Sequence, residues 1–415
     1  MRLLVDTTPL RVSRDFRRLW VGQAVSFVGS MITVAALPYQ VFHQTGSSLA
    51  VGLLGMAQLG PLLVFSLVGG AFADSVDKRR LLLGVTAVSA SCSTLLAVNA
   101  SLDRPQLWVL YAAAALIAAC TAIRRPPLDA LLPRLVEREE LKSASALQWA
   151  IHNTASMAGQ AIGGVLIVTA GAAVTYTADL VTFGVSLAAL ASMRTPPPPE
   201  GLTLGVKAIT EGLRYAKSRQ ELVGTYLVDI NAMFFGMPMA LFPALAESYG
   251  GKAVVGLLYA APPAGAVVAT LTSGWTRRVH RHGRAVVYAA IGWGVAIAAF
   301  GMANTLWVAL LCLALAGGAD AVSGVFRATI WNETIPDRLR GRLAGVEMIS
   351  WSSGPMLGNA RAGITESFAG LKGSVVGGGI VCVLGTIALA ALLPRFLAYD
   401  SRHGAHAHPD LIEAM

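Results

Sequence analysis

Residues Gly69–Leu81 read Gly-Gly-Ala-Phe-Ala-Asp-Ser-Val-Asp-Lys-Arg-Arg-Leu and join two long apolar runs. Small residues end the first run, and an acid followed by three basic residues precedes the second run. Small residues allow two membrane helices to approach closely, and cationic side chains remain in the water layer on the cytoplasmic side of a bilayer. The stretch therefore predicts the cytoplasmic turn of a transmembrane helical hairpin.

The composition extends this prediction to the whole chain. Of the 415 residues, 55% are apolar and 13% are charged, whereas about 25% of the residues of a soluble domain are charged. One membrane crossing needs about 20 mainly apolar residues in a helix. The sequence thus predicts an all-α membrane protein with twelve transmembrane helices, at residues 19–42, 49–72, 81–101, 106–123, 145–170, 173–193, 221–246, 254–275, 285–303, 305–326, 343–365 and 374–396.

The distribution of charge predicts the orientation of these helices. The net charge is +9, and all but four of the 32 Lys and Arg residues lie near the two termini or in every second predicted loop. Positive residues collect on the cytoplasmic side of membrane proteins. We therefore expect a multi-pass protein of the inner (plasma) membrane with both termini in the cytoplasm. This orientation accounts for the basic excess without a nucleic-acid partner.

The chain carries signs of a duplication. Three pairs of landmarks recur 203 to 205 residues apart: Gly70 with Gly274, Pro133 with Pro336, and Pro38 with Pro243. Such an offset predicts two parallel six-helix halves. The predicted halves are 1–193 and 220–396, joined by a proline-rich cytoplasmic linker with an amphipathic helix (194–219) and followed by a cytoplasmic tail (397–415).

The turn between spans two and three also resembles the signature loop of the major facilitator superfamily, G-x-L-A-D-x-x-G-R-K. The matching residues are Gly70, Phe72, Ala73, Asp74, Lys78 and Arg79, while Asp77 stands where the family has Gly. The resemblance implies a secondary transporter that works by alternating access. It also implies that Gly70, Asp74, Lys78 and Arg79 act as a conformational gate on the cytoplasmic side. The alternative is that these charges only fix the topology.

Other stretches resemble the exporter branch of this superfamily, which includes siderophore and macrolide or drug efflux proteins. These stretches are Phe242–Glu247, Gly256–Pro262, Leu271–Gly274, Ile335–Asp337 and Arg340–Arg342. The resemblance implies export of a small amphipathic compound, a drug or a siderophore-like metabolite, in exchange for protons.

Charge within a span is costly and marks function or a buried partner, and two acids in predicted spans are candidates for the transport cavity. Asp229 lies in span seven near Tyr226 and Asn231. We expect Asp229 to be the proton-coupling acid, because a carboxyl group away from water can load and release a proton near neutral pH. The alternative is a structural hydrogen bond between helices. Asp320 in span ten either lines the transport cavity or pairs with Arg327, two turns further on.

Three more charged residues lie near or within spans. Asp179 in span six fits a packing or gating role better than contact with the cargo. Glu347, at the start of span eleven, is expected to join Arg340 and Arg342 in a cytoplasmic charge cluster that belongs to the gate. Arg361 in span eleven extends its side chain to the membrane surface, pairs with Glu366, or attracts an anionic cargo.

Uncharged polar residues supply further cavity candidates. His152 in span five, Gln23 in span one and Gln58 in span two could contact the cargo or form hydrogen bonds between helices. The sequence predicts no metal site and no cofactor, because the four cysteines are scattered and no His-Cys spacing fits a metal.

The absence of a P-loop motif argues against ATP as the energy source. The expected partners are protons, a small-molecule cargo and the lipid bilayer, and the expected state is a monomer. An importer or uniporter on the same fold remains open, as does a membrane receptor or scaffold. An enzyme is not expected, since no cluster of His, Asp and Cys marks an active site.

Overall fold

The computed structural model describes residues 7–75, 77–137, 140–194 and 214–404. Every regular element in these ranges is a helix. The predicted all-α class is therefore confirmed. The predicted linker helix lies mostly outside the described residues.

Seven helices precede the central linker. Their bounds are α1 (Thr8–Val12), α2 (Arg14–Thr45), α3 (Ser48–Ser75), α4 (Lys78–Ala100), α5 (Leu107–Leu135), α6 (Leu141–Thr169) and α7 (Gly171–Ala191).

Eight more helices follow the linker in the described residues, with short 3₁₀ turns between some of them. Their bounds are α8 (Gln220–Gly236), α9 (Phe242–Tyr249), α10 (Val255–Leu271), α11 (His282–Met302), α12 (Leu306–Thr334), α13 (Asp337–Leu392), α14 (Pro394–Leu397) and α15 (Ser401–Gly404).

Nine helical segments within the described ranges are long and apolar enough to cross a membrane. Two further apolar helices, Thr154–Thr169 and Val255–Leu271, are shorter. The apolar segment Ile349–Leu392 has 44 residues, about twice what one crossing needs. It is broken at Gly370, whose φ of 71° lies in the left-handed region that favours glycine. The chain is a multi-pass membrane protein.

Helix α5 continues past the end that the sequence predicts. The prediction ends span four at Ile123, whereas the helix runs to Leu135 and includes Arg124 and Arg125. The added segment is held by its apolar face, because Leu131 is buried in a cluster of large side chains. The other buried members are Leu19, Leu82, Leu190 and Met193.

The first compact unit comprises residues 1–205 and 239–263. Helix α2 packs against α6 and α7, and α5 packs against α3 and α4. Gly159 and Gly163 of α6 lie against the backbone of α2, where a side chain would not fit. Such close approach of small residues is a common source of stability between membrane helices.

The segment 239–263 joins this unit because Gly256 of α10 and Gly164 of α6 lie backbone to backbone. The sequence places its only boundary in the linker 194–219. That boundary between two halves stays a prediction.

The second compact unit comprises residues 206–238 and 264–415. Helix α8 packs along α13, and α11 packs against α12 and α13. Leu222 and Tyr226 of α8 are buried in a cluster with Leu343 of α13. Helix α8 thus has helices on several sides, so its polar residues must find partners inside the unit.

Replacement of Gly163 by Ala tests the close packing of α2 and α6. A Cβ atom at Gly163 would lie 2.6 Å from the carbonyl oxygen of Ile32, and overpacking of this kind costs about 1–3 kcal/mol. We expect Gly163→Ala to lower the melting temperature in detergent. The control is Gly184→Ala, since an added Cβ atom there meets nothing within 4 Å. Equal melting temperatures for the two variants would contradict the packing.

Candidate functional site

Asp229 and Arg327 form a buried ion pair in the second unit. Asp229 lies in the interior of α8 and Arg327 on α12, with Oδ1 of the acid in contact with Nη1 of the guanidinium group. Only 5% of the side-chain surface of Asp229 and 10% of that of Arg327 are exposed. A charge away from water is costly unless it is paired. The pair therefore joins α8 to α12. Each buried charge is compensated by the opposite charge of its partner.

Asp320 brings a second acid to the same arginine. Its Oδ1 atom lies 3.5 Å from Nη2 of Arg327. Both residues are on α12, and their separation of two helical turns places them on one face. Asp320 differs from Asp229 in exposure, since 43% of its side-chain surface is exposed. We call Asp229, Arg327 and Asp320 the acid–arginine cluster.

A small cavity of about 10 Å³ lies beside this cluster, which is roughly the room that one water molecule needs. Its polar lining comes from Asp229, Asp320, Ser323 and Trp293. Among the lining residues, Asp229 has a buried Oδ2 atom with no hydrogen-bond partner in the described part of the chain. The cavity therefore lies beside an acid that keeps one unsatisfied acceptor atom.

The two neighbours of Asp229 on α8 have other surroundings. Asn231 donates through Nδ2 to the carbonyl oxygen of Cys382 at 2.9 Å and to Oγ1 of Thr386 at 3.1 Å. These two bonds show that Asn231 faces α13, away from the face that Asp229 presents to Arg327. Tyr226 packs on the ring of Trp331, with 5.6 Å between the centroids.

Arg361 of α13 lies at the carboxyl end of α8. Its guanidinium group donates to the carbonyl oxygens of Phe234 at 3.2 Å, Phe235 at 2.6 Å and Ser374 at 3.3 Å. The last carbonyls of a helix have no partner within it, and a cation there is favourable. Arg361 therefore stabilises the end of α8.

Asp179 is the buried acid of the first unit. Its Oδ2 atom accepts hydrogen bonds from Thr33 at 2.7 Å and Ser93 at 2.8 Å. These contacts join α7 to α2 and α4, which favours the packing role over contact with the cargo.

A basic face of the first unit includes Arg124 and His152. Arg124 lies near enough to interact electrostatically with Asp179 and with His152. The exposed ring of His152 stacks on Phe27, with 4.7 Å between the centroids. The two glutamines predicted as cavity residues differ in exposure, because Gln23 is buried and Gln58 is half-buried. The sequence did not predict this face, because it assigned Arg124 to a loop.

No group of three His, Cys, Asp or Glu side chains in the described part of the chain is placed to hold a metal ion. The four cysteines are free.

The family model described as transmembrane secretion effector matches residues 6–415. The chain belongs to this family. Its similar relatives include the enterobactin exporter EntS of Shigella boydii and of Escherichia coli O81. Each is 29% identical over 362 residues, which cover 87% of this chain and 87% of the relative. The predicted resemblance to exporters of the major facilitator superfamily is confirmed.

Solved structures of other transporters share the fold of this family member. A mutant of the nucleoside transporter NupG has a TM-score of 0.77 at 9% identity, covering 91% of this chain and all of that one (100%). An inward-facing bacterial homologue of the human lysosomal transporter Spinster has a TM-score of 0.70 at 14% identity, covering 92% of this chain and 95% of that one. These likenesses show the fold, and the family match with the similarity to exporters shows that the protein is a transporter of the major facilitator type.

The signature turn of this transporter is described only in part. The surroundings of Gly70 and the side chain of Asp74 are not described. Arg79 donates through Nε to the carbonyl oxygen of Leu190 at 2.9 Å and through Nη2 to that of Ala191, at the carboxyl end of α7. Lys78 is buried.

Asp77 replaces the Gly of the superfamily motif, and the structure gives a reason. Its side chain accepts hydrogen bonds from the backbone N–H groups of Arg79 at 2.8 Å and Arg80 at 3.1 Å. It is therefore the N-cap of α4, a position that favours Asp.

The predicted cytoplasmic cluster of Glu347 and Arg340 is also described in part, because the side chain of Arg340 lies outside the described residues. Glu347 is half-buried and interacts electrostatically with Arg327. Glu347, which the sequence assigns to the cytoplasmic gate, thus also interacts with the acid–arginine cluster.

Sequence reasoning found both acids of the cluster, but it missed the pairing of Arg327 with Asp229 and the position of Trp293 beside the cluster. Arg327 was considered as a partner of Asp320 alone, and Trp293 was not considered. An arginine inside a long apolar helix was the available signal for Arg327. No sequence signal separates Trp293 from the other tryptophans.

Replacement of Arg361 by Met tests whether this residue stabilises α8 or binds cargo. We expect a loss of about 1.5–3 kcal/mol in the free energy of unfolding, the value of a hydrogen bond to a charged group. Thermal unfolding in detergent measures it. Lys372→Met is the control, since Lys372 makes an exposed contact with Asn304 at 3.2 Å. Unchanged stability with lost transport would instead assign Arg361 to the cargo.

Proposed function

We propose that the protein exports a small amphipathic compound, a drug or a siderophore-like metabolite, in exchange for protons. The observation that carries the proposal is the acid–arginine cluster, in which Asp229 and Asp320 share Arg327 in a unit of apolar helices. Ionisable groups within membrane spans are rare, and in transporters they mark ion and proton pathways. The 29% identity to enterobactin exporters supports the direction and the kind of cargo.

The cluster supplies a physical basis for proton coupling. With both acids ionised, Arg327 is attracted by two carboxylates and the cluster has a net charge of −1. A proton on Asp229 removes the charge that holds Arg327 to α8, and the guanidinium group keeps Asp320 as its counter-ion. Protonation therefore changes the interaction between α8 and α12. A change of this kind biases an equilibrium between two conformations.

The membrane topology in this proposal has twelve spans in two parallel halves, 1–193 and 220–396. The linker 194–219, the tail 397–415 and both termini lie in the cytoplasm. Nine long apolar helical segments, two shorter ones and the break at Gly370 support this number. The basic residues of alternate loops support the orientation in the inner membrane. We expect the protein to act as a monomer.

The remaining candidate residues take two roles in this proposal. The first group contacts the cargo and consists of Gln23, Gln58, His152, Tyr226 and Asn231. The second group controls access from the cytoplasm and consists of Gly70, Asp74, Lys78, Arg79, Arg340 and Glu347. Asp179 has the packing role, because it accepts hydrogen bonds from Thr33 and Ser93 of neighbouring helices. Arg361 belongs with neither group, because its contacts with the carbonyls of α8 give it a structural role.

A strain that lacks the protein identifies the cargo. We expect it to secrete less of one metabolite, or to be more susceptible to one class of drug, than its parent. Expression of the wild-type protein should restore the difference. Uptake into inside-out vesicles then tests direction, since an exporter accumulates its cargo there when protons flow out. Accumulation of the cargo in right-side-out vesicles instead would show an importer.

Replacement of Asp229 by Asn tests the coupling role. We expect Asp229→Asn to abolish proton-driven accumulation in inside-out vesicles, because an amide of similar shape cannot carry the proton. The amount of inserted protein should not change. Asp15→Asn is the matched control, since Asp15 pairs with Arg18 at 3.3 Å at a partly exposed position. Full accumulation by Asp229→Asn would remove this acid from the mechanism.

A further inference from the structure

We propose that the basic face of the first unit binds an aromatic cargo that carries a carboxylate or a similar oxyanion. Arg124 is the partner of the oxyanion, and the stacked rings of Phe27 and His152 are the surface for the aromatic part. The proposal rests on the proposed export of an amphipathic compound. It adds the charge of that compound and the residues that select it.

Arg124 is a half-buried cation inside a candidate membrane span. It lies in the apolar segment Leu107–Leu128, and α5 continues for about three turns beyond it, to Leu135. In the part of the chain that the structure describes, its guanidinium group forms neither a hydrogen bond nor an ion pair. A cation in a span is costly unless it meets an opposite charge or water. Arg124 therefore offers donors that an anion can use.

Asp179 interacts electrostatically with Arg124 but uses its hydrogen-bonding capacity elsewhere. Its Oδ2 atom accepts from Thr33 at 2.7 Å and from Ser93 at 2.8 Å, and its Oδ1 atom faces the hydroxyl of Thr182 at 3.5 Å. The acid is therefore committed to α2, α4 and its own helix. It compensates the charge of Arg124 only from a distance.

The sequence contains a second arginine at the matching position of the other half. Arg124 and Arg327 are 203 residues apart, which is the same offset that separates Pro133 from Pro336. Arg327 pairs with two acids of its own unit, and Arg124 has no such pair in the described residues. The two arginines thus share a position in the sequence repeat but differ in their partners.

The repeat also shows why the partners differ. At offsets of 203 to 205 residues, Asp229 corresponds to the residues 24–26, which are Ala-Val-Ser, and Asp320 corresponds to the residues 115–117, which are Ala-Leu-Ile. The first half therefore keeps the arginine and has no acid at either corresponding position. The positive charge of Arg124 remains available to an anion from outside the chain.

The basic face also contains a flat apolar surface. His152 of α6 stacks on Phe27 of α2, with 4.7 Å between the ring centroids and 29° between the planes. His152 is exposed, Phe27 is half-buried, and His152 interacts electrostatically with Arg124 and Arg125. Aromatic side chains pack well on flat apolar groups. The rings and the guanidinium groups lie in one region of the first unit, which suits a ligand that joins a ring to an oxyanion.

An anionic lipid headgroup shares the oxyanion chemistry of such a cargo, since basic pockets between membrane helices also bind headgroups. A headgroup phosphate would use Arg124 but would leave the ring surface of Phe27 and His152 without a function. The stacked rings therefore favour an aromatic cargo.

The test uses naphthoate and naphthamide as probes, which share one ring system and differ in charge. Equilibrium dialysis measures their binding to the full-length protein in phosphatidylcholine nanodiscs. We expect the wild type to bind naphthoate about tenfold more tightly than naphthamide. Arg124→Gln should lose about tenfold to hundredfold in affinity for naphthoate, the value of a hydrogen bond to a charged group, with its affinity for naphthamide unchanged. Phe27→Leu should weaken the binding of both probes.

Arg104→Gln is the matched control, because Arg104 is exposed in the loop before α5; it should bind both probes as the wild type does. Equal affinity of the wild type for the two probes would overturn the anion site, and this comparison decides alone if Arg124→Gln does not fold. Native mass spectrometry in which the wild type retains phosphatidylglycerol and Arg124→Gln does not would overturn the cargo site in favour of a lipid headgroup. Both outcomes leave the proposed export intact, since the deletion strain and the vesicles test export without these probes.

Discussion

The ion pair between Asp229 and Arg327 constrains how helices α8 and α12 of the second unit pack against each other. Neither charge can be solvated by lipid, so α8 and α12 must keep the two side chains together or expose them to water. Arg327 also pairs with Asp320 and interacts electrostatically with Glu347. One guanidinium group therefore interacts with acids on three helices. A change of protonation at any of them alters the forces between those helices.

The same physics explains two other cations that are not part of the cluster. Arg361 satisfies carbonyls at the end of α8, and Arg79 satisfies carbonyls at the end of α7. The last carbonyls of a helix have no partner within it, so a donor with a positive charge stabilises that end. Arg79 belongs to the superfamily signature, so at least one residue of that motif has a structural contact within the first unit.

The two units handle their buried acids differently. Asp179 in the first unit accepts hydrogen bonds from hydroxyl groups of two neighbouring helices. Asp229 in the second unit has an ion pair, a buried oxygen with no partner in the described residues, and a cavity beside it. A satisfied acid favours packing, whereas an acid with a free oxygen next to a cavity can exchange a proton. This contrast is why the proposed coupling is placed at Asp229.

The sequence by itself determined the class of the protein, because apolar runs and alternating basic loops follow from the energetics of the bilayer. It also marked Asp229 and Asp320, because charge in a span is costly. Only the tertiary structure decided that both acids share Arg327, that Arg361 faces carbonyls, that α5 continues through Arg124, and that Trp293 lines the cavity. These outcomes depend on which helix faces which. Helical periodicity tells which residues share a face of one helix, but it does not tell which neighbour that face meets.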